Sequence, residues 1–449
     1  MIGAGGLFAP TIRHHNGTFY IVCTNVGAEG EDFEAENFII STTDIWANDW
    51  SDPVQLDFRG IDPSLFVDSD GKAYLQGSWR LDRTEQPTST IKQYEIDLRT
   101  GERLSEIREI WPGHARIYTE GPHIYRKDGY YYLLVAEGGT FEQHLLSIAR
   151  AHDIWGPYES FEENPILTAY GTSEIVQDAG HGELFQGGDG LWWAAVLGVR
   201  KRGERYPMGR ESFLCPVDWP TGEWPKIGHP QLKFDRETAS VHSSKWWSLM
   251  SRSTRIDDCY IRTPRTEDYQ FPGENFRLRA SIELPSAPTG TSTFLGKRQR
   301  SDDSLASVKL LCDATEQARD LSAGLAVYKD DVRYAMMSFT PANLELHLSL
   351  RNNTSADKSI AIKKLHTIPE SLSFNVTSSA STYDFWWKAL PGSQWESLGQ
   401  IDTAEMTCRD FTGTLFGIFA HTSDESRSEW AEFQDFSVQV ASLQDCTVV

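Results

Sequence analysis

The sequence predicts an all-β protein in two parts, a β-propeller followed by a β-sandwich. Three observations carry that expectation. First, one motif occurs four times in the first half of the chain: a polar or small residue, a short apolar run, a turn with glycine, and an aromatic-rich apolar run. The copies are APTIRHHNGTFYIVCTNV from Ala9, DPSLFVDSDGKAYLQGS from Asp62, EGPHIYRKDGYYYLLVAEG from Glu120 and HGELFQGGDGLWWAAVLG from His181. Second, their turn glycines, Gly17, Gly71, Gly129 and Gly190, recur 54, 58 and 61 residues apart, a period suited to propeller blades. Third, from about Tyr260 onward the chain alternates apolar and polar residues with period two, and candidate helices are few and weak.

Each element follows from local chemistry. Asn-Gly or Asp-Gly between apolar runs predicts a hairpin, because a type I′ turn requires φ > 0 at both central positions. The first strand of each propeller blade lines the central channel, so the openers Ala9, Asp62, Glu120 and His181 are expected at equivalent positions converging on one axis. The repeats end near Cys215–Trp224, which gives a propeller over residues 1–228. Residues 229–254 read as a connector. Over 255–449, segments such as FRLRASIEL, LELHLSL, SLSFNVTS and AEFQDFSVQV read as half-buried antiparallel strands, and many such strands without helices imply two packed sheets.

Composition narrows the function. With 42 Lys and Arg against 64 Asp and Glu, the formal charge is −22. This argues against nucleic acid, whose phosphates need a basic surface, and suits a neutral substrate. The chain has 15 Trp, 16 Tyr and 22 Phe. Aromatics in such number fill a β core and also offer faces that stack on sugar rings. No apolar run reaches membrane-span length, so no membrane partner is expected. The start, MIGAGGLFAP, has no basic n-region or long h-region, and the six cysteines have no metal-like spacing. Both point to a cytoplasmic protein with reduced thiols. Sequons at Asn16, Asn352, Asn353 and Asn375 pull weakly toward secretion.

Asp62 and Glu120 stand out chemically. A carboxylate at the start of an inner strand, before Pro or Gly, is costly to bury unpaired and disfavoured in strands. Either alone could simply terminate its strand through backbone hydrogen bonds. Two at repeat-related positions, with His181 at a third, point instead to a shared site. Paired carboxylates across a cleft are what glycoside hydrolysis needs. The Gly-His-Gly context of His181 leaves room around the imidazole. Arg210, in MGRESFLCPV, sits on a further candidate inner strand. Asp68, Asp70, Asp128 and Asp189 are expected to serve turns.

These segments resemble glycoside hydrolase family 43, in particular its β-xylosidase and α-L-arabinofuranosidase branch. The matches are GLFAPTIRHHNGTFYIVCTNV, GIDPSLFVDSDGKAYL, YTEGPHIYRKDGYYYLLVAEGGT, SIARAHDIWGPYE, GHGELFQGGDGLWW and GRESFLCPVDW. The resemblance implies a five-bladed propeller and an inverting mechanism on xylan- or arabinan-derived oligosaccharides. It implies Glu120 as general acid, Asp62 as the group that tunes the acid and orients substrate, and His181, Arg210 and His144 as sugar-binding residues. No cofactor is required by it, although in some members a water or a calcium lies at the position of His181. Weaker matches, FLGKRQ, SAGLAVYKDD, WESLGQID and FTGTLFGIFA, liken the C-terminal half to the concanavalin-like sandwich of that branch. There the stretch GKRQRSDDSL has Ser301 and Asp302 where the family often has an aromatic lid residue.

The resemblance also shows a departure. Family members open with a first blade whose Asp is the general base, and this chain opens on what resembles the second blade. The expectation is therefore an impaired glycosidase. The alternatives are a catalytically inactive carbohydrate-binding propeller and a non-enzymatic scaffold. A scaffold has little use for converging polar groups. Oligomeric state is not legible in the sequence.

Overall fold

The computed structural model describes residues 5–27, 35–47, 49–81, 84–233, 255, 257–287, 289–312, 320–354, 356–407, 411–426 and 428–440. The connector expected at 229–254 lies outside the described residues apart from 229–233. The chain divides into two compact units. One takes Gly3–Arg200 and Glu211–Val241, the other Lys201–Arg210 and His242–Val449. The short segment Lys201–Arg210 thus groups with the C-terminal half, although its place in the sequence is within the repeats.

The first unit is four antiparallel sheets in chain order. The first holds β1 (Gly6–His15), β2 (Thr18–Val26), β3 (Ala35–Thr42) and β4 (Val54–Gln55). The second holds β5 (Ile61–Val67), β6 (Ala73–Arg80), β7 (Ser89–Ile96) and β8 (Arg108–Trp111). The third holds β9 (Glu120–Lys127), β10 (Tyr130–Glu137), β11 (Leu145–Ala151), β12 (Glu159–Ser160) and β13 (Leu167–Thr168). The fourth holds β14 (Val176–Gln186), β15 (Trp192–Arg200), β16 (Arg210–Asp218) and β17 (Lys226–Ile227). Every sheet begins with the strand that opens a sequence repeat.

Successive sheets pack face to face. Val22, Ile39, Leu56, Leu65 and Leu75 join the first to the second. Ile91, Trp111, Ile124, Leu133 and Val135 join the second to the third. Tyr132, Leu134, Leu146, Leu184 and Val196 join the third to the fourth. Strand β10 shows the cause: Leu133 and Val135 face one cluster, Tyr132 and Leu134 the other. A strand buried on both faces is apolar along its middle, as YLLVA of YYYLLVAE is. At the ends of the series apolar side chains remain exposed. Leu7 and Ile12 are 69% and 42% accessible on the first sheet, Phe185 and Leu214 43% and 44% on the fourth. Ile12 pairs with Ile21, which pairs with Ile40, so an isoleucine row crosses three strands.

The turns correct one expectation. In the first and third hairpins both central residues have positive φ (Asn16 48°, Gly17 78°; Asp128 53°, Gly129 81°), as a type I′ turn requires. In the second and fourth only the glycine does, at 86° for Gly71 and 80° for Gly190. There the loop is longer, closed by Asp68 N–H to the Lys72 carbonyl and Gly187 N–H to the Leu191 carbonyl. The four Asp residues expected in turns are there: Asp70 accepts from Lys72 N, Asp189 from Leu191 N and Asp128 from Gly222 N, while Asp68 accepts from Ser69 N and the Tyr131 hydroxyl.

The second unit is a sandwich of a seven-stranded and a six-stranded antiparallel sheet. Strands such as Ser304–Leu311 and Ser371–Ser378 alternate buried and half-buried residues along their length. Phe374, Phe385, Phe416, Leu325 and Met337 fill the space between the sheets. Asp302, at the expected lid position, is buried and accepts from Arg202 Nε and Nη2 at 3.1 and 3.0 Å.

Candidate active site

All four opening strands are interrupted at the same point. In β1 the register jumps between Phe8 and Thr11, in β5 between Ile61 and Ser64, in β9 between Glu120 and His123, and in β14 between Gly180 and Gly182. Each interruption is a β-bulge with one residue in the left-handed region: Ala9 (φ 42°), Asp62 (55°), Gly121 (56°) and His181 (41°). A bulge bends the strand and re-aims a side chain. A non-glycine residue at positive φ is uncommon and costs of order 1–3 kcal/mol.

Register corrects the expected equivalence of the four openers. Asp62, His181 and Ala9 do occupy matching positions, but the third match is Gly121. Glu120 lies one residue earlier, level with Phe8, Ile61 and Gly180 as the last paired residue before the bulge. The glycine has a local reason. A Cβ on Gly121 would lie 3.1–3.2 Å from Cε1, Nε2 and Cδ2 of His181. The Gly121 N–H, which belongs to the peptide leaving Glu120, donates to Asp62 Oδ2 at 3.0 Å. His181 Nδ1 is 3.8 Å from that same oxygen. Asp62, the Glu120–Gly121 peptide and His181 therefore meet at one point.

Glu120 enters the site on a fixed frame. The carbonyl of Thr119 accepts from Ser78 Oγ and Ser89 Oγ at 2.7 and 3.0 Å. The segment before it is held by Glu137 at the end of β10, which is fully buried and accepts three backbone N–H groups, from His114, Ala115 and Arg116, at 3.0, 3.1 and 2.8 Å. Asn37 ties the first sheet to the approach to Asp62 by donating to the carbonyls of Phe58 and Gly60, both at 2.9 Å.

His144 is 1% accessible. Its Nδ1 donates to the Asp178 carbonyl at 3.0 Å, and its ring fills the space beside Gly180, where a Cβ would lie within 2.4–2.5 Å of it. It therefore supports the strand that presents His181. Arg210 keeps different company: its N–H donates to the Phe411 carbonyl at 3.4 Å and its guanidinium lies 4.2 Å from the centre of the Phe411 ring.

Sequence reasoning missed a polar cluster two residues past the bulges. That position is Thr11, Ser64, His123 and Glu183 in the four copies, polar every time, and period two places it on the same side of each strand. The recurrence was visible in APT, DPS, GPH and HGE. Ser64 donates to the Pro122 carbonyl. Arg13 pairs with Glu183, and Arg13 Nη2 lies 3.3 Å from His123 Nδ1. An arginine can only donate, so His123 Nδ1 accepts and its proton sits on Nε2. Burial, then Arg13 and His181, hold the His123 imidazole well below the usual histidine range. Burial pushes the Cys23 thiol up, with Asp62 adding to the shift.

Among the described residues no group of three or more His, Cys, Asp or Glu could hold a metal ion. One carboxylate and one imidazole are in any case a poor set for calcium, which takes six to eight oxygens.

The chain matches the model of glycosyl hydrolases family 43 over residues 1–225 and that of the β-xylosidase C-terminal concanavalin A-like domain over 252–439. It is 31% identical to a non-reducing end α-L-arabinofuranosidase of Bacteroides ovatus over 455 residues, covering 96% of this chain and 81% of that one. It is 34% identical to a xylosidase/arabinosidase of Butyrivibrio fibrisolvens (68% and 61% of the two lengths) and 35% identical to a β-xylosidase of Bacillus subtilis (66% and 60%). Both matches thus take in about three fifths of the relative. The crystal structure of a xylan β-1,4-xylosidase from Bacillus halodurans superimposes with a TM-score of 0.82 at 26% identity, covering 97% of this chain and 87% of that one. The expected all-β propeller-type fold with a concanavalin-like sandwich, and the O-glycosyl hydrolase class, both stand. On these grounds the chain belongs to glycosyl hydrolase family 43.

Proposed function

We propose that the protein is an inverting glycosidase of the β-xylosidase/α-L-arabinofuranosidase kind, acting on oligosaccharides derived from xylan or arabinan. The observation that supports this most is the Asp62 carboxylate bonded to the peptide of Glu120 and 3.8 Å from the His181 ring. In this reading Glu120 protonates the departing glycosidic oxygen. The fixed negative charge of Asp62 favours the protonated form of Glu120, and Asp62 and His181 orient the sugar. Arg210 takes the sugar-binding role that the family resemblance implies, whereas His144, implied as sugar-binding too, is buried beside Gly180 and acts by supporting the strand of His181.

An inverting enzyme also needs a base that activates water on the opposite face, with the two carboxyls about 6.5–9.5 Å apart. Asp44 is exposed in a turn, where its Oδ1 accepts from Trp46 N at 2.9 Å, and Asp32 lies outside the described residues. No residue of this chain is assigned to the base. The 449-residue chain by itself is therefore expected to hydrolyse aryl β-xyloside or α-L-arabinofuranoside slowly. A form extended at its N terminus by another strand–turn–strand unit with an Asp at its bulge is expected to be faster, by the roughly 10²–10⁴-fold that such groups contribute.

The test is a side-by-side assay of both lengths at equal folded protein, with Glu120→Gln in the faster one. Loss on substrates with poor leaving groups, and less loss on activated aryl glycosides, supports Glu120 as the acid. Robust turnover in the short chain that another carboxylate abolishes would overturn the view of the base. Equal inactivity of both lengths with retained sugar binding would favour the carbohydrate-binding alternative.

A further inference from the structure

The bulges all lie in the opening strands, ahead of the residues that lead into the hairpin turns. At the other end, where the hairpin turns are, a groove of about 550 Å³ runs along the seam between the first and second sheets. Its walls carry Tyr20 from β2, Trp50 and Asp49 from the segment after β3, and Arg99 from the turn after β7. Tyr20 and Thr18 stand three and five residues along β2 from Cys23, which lies opposite the Ala9 bulge. That is about 10–17 Å at the rise of a strand, so the groove is separate from the Asp62 site.

We propose that this groove is a second carbohydrate site, which binds a linear neutral oligosaccharide of β-linked pentoses. The inference rests on the glycosidase reading for its choice of sugar. Three features specify the ligand class. Tyr20 and Trp50 are both half-buried and supply two amphipathic aromatic surfaces, apolar in body and polar at one edge. Asp49 and Arg99 are exposed, carry opposite charges, and make no side-chain ion pair or hydrogen bond with each other or with another described residue. Their sum is neutral, which suits a ligand with many hydroxyls and no charge better than a phosphate or a polyacid. The hydroxyls of Thr18 and Thr43 add further hydrogen-bonding groups.

The groove is also held in shape. Ser51 N donates to the Ser41 carbonyl at 2.9 Å and Ser41 N to Ser51 Oγ at 3.0 Å. Thr42 Oγ1 donates to the carbonyls of Asp49 and Asp44 at 2.8 and 3.1 Å. Residues 49–51 are thus clamped along β3, and Tyr20 leans on the core between the two sheets. A preformed wall lowers the ordering cost of binding, and the volume falls in the range of small-ligand sites.

The experiment uses the full chain carrying Glu120→Gln, so that sugar binds without turnover. Xylohexaose is titrated calorimetrically, and migration is followed through gels containing soluble arabinoxylan. The expected result is retardation by the polysaccharide that falls at least fivefold in Tyr20→Ala/Trp50→Ala, and likewise in the exposed pair Asp49→Ala/Arg99→Ala. Aryl pentoside hydrolysis by the same changes in the Glu120 background should stay within twofold. The Asp49/Arg99 pair guards against misfolding of the aromatic variant, since its thermal midpoint should not move. Unchanged retardation in both double variants overturns the inference, as does absence of any xylan binding. If no form hydrolyses a pentoside but retardation still depends on these four residues, the groove stands and the glycosidase reading falls.

Discussion

Replacing Gly121 by alanine tests the convergence at the bulges most directly. Two costs add. An L-residue at φ 56° carries roughly 1–2 kcal/mol of left-handed strain. The new Cβ also comes within 3.1–3.2 Å of three ring atoms of His181, closer than ordinary contact, so the imidazole must shift by a few tenths of an ångström. His181 is partly exposed, with 25% of its side chain accessible, and can yield without a large further loss of stability. Its displacement is felt instead at the site, where misplacement approaching 1 Å costs about 10²-fold in rate. Gly129→Ala is the control: φ there is 81°, and nothing lies within 4 Å of the added Cβ. Urea unfolding should show similar losses, about 1–2 kcal/mol, for both variants. Pentoside turnover by the more active form of the chain should fall about 10–100-fold for Gly121→Ala only. Full activity in Gly121→Ala, or equal loss in Gly129→Ala, would refute the claim that a bare Cα at this bulge makes room for His181.

Glu137→Ala should remove about 3 kcal/mol or more from urea-unfolding stability, because three backbone N–H groups lose their buried acceptor at about 1–3 kcal/mol each. Glu137→Gln, which keeps one acceptor oxygen, should lose less. His123 stays neutral in the folded protein, while its unfolded form protonates near pH 6.5. A depressed folded value means the contribution is intact above about pH 6.5 and is lost as pH falls below it. Stability measured between pH 7 and 5 should therefore fall more steeply in the wild type than in His123→Gln, and parallel curves would exclude the effect. Asp62→Asn keeps an acceptor for the Gly121 N–H and a residue type that tolerates positive φ, so stability should change little. Loss of the carboxylate charge should move the alkaline limb of the pH–rate profile to lower pH, and an unmoved limb would remove Asp62 from any role in tuning the acid.

The four hairpins were legible because their turns and two-sided apolar strands are local features. YYYLLVAE reads as an aromatic-rich apolar run before any partner is known, and the structure buries such runs on both faces, in the clusters between successive sheets. The sandwich was legible for the same reason, as in SLSFNVTS and its alternating burial. The site was only partly so. Asp62 and His181 were found because they are polar residues at the bulge itself. Glu120 was matched to them because it too is polar and opens its copy, whereas hydrogen-bond register aligns the glycine after it. Register is a property of paired strands and cannot be read from one of them. Arg13 was missed because it lies four residues past Ala9 and its partners, His123 and Glu183, come from two other sheets. The pairing of Asp302 with Arg202, a hundred positions apart, has no local signature.

The bulges bear on how such a site is built. Left-handed backbone at Asp62 and His181 invites the view that strain is stored there for chemistry. Ala9 argues otherwise, since it has the same conformation (42°) at the same register position and offers no reactive group. The bulge is therefore a property of the opening strand in every sheet, where each such strand packs against the next, and its cost is met by the packing between sheets. What differs among the copies is the side chain it re-aims: a methyl, a carboxylate, a hydrogen and an imidazole. The third copy shows that the choice is collective. A side chain at position 121 would press on the ring at 181, so the hydrogen there lets the imidazole face Asp62 undisturbed, and the carboxylate of that copy is carried by Glu120, where the ladder is still regular.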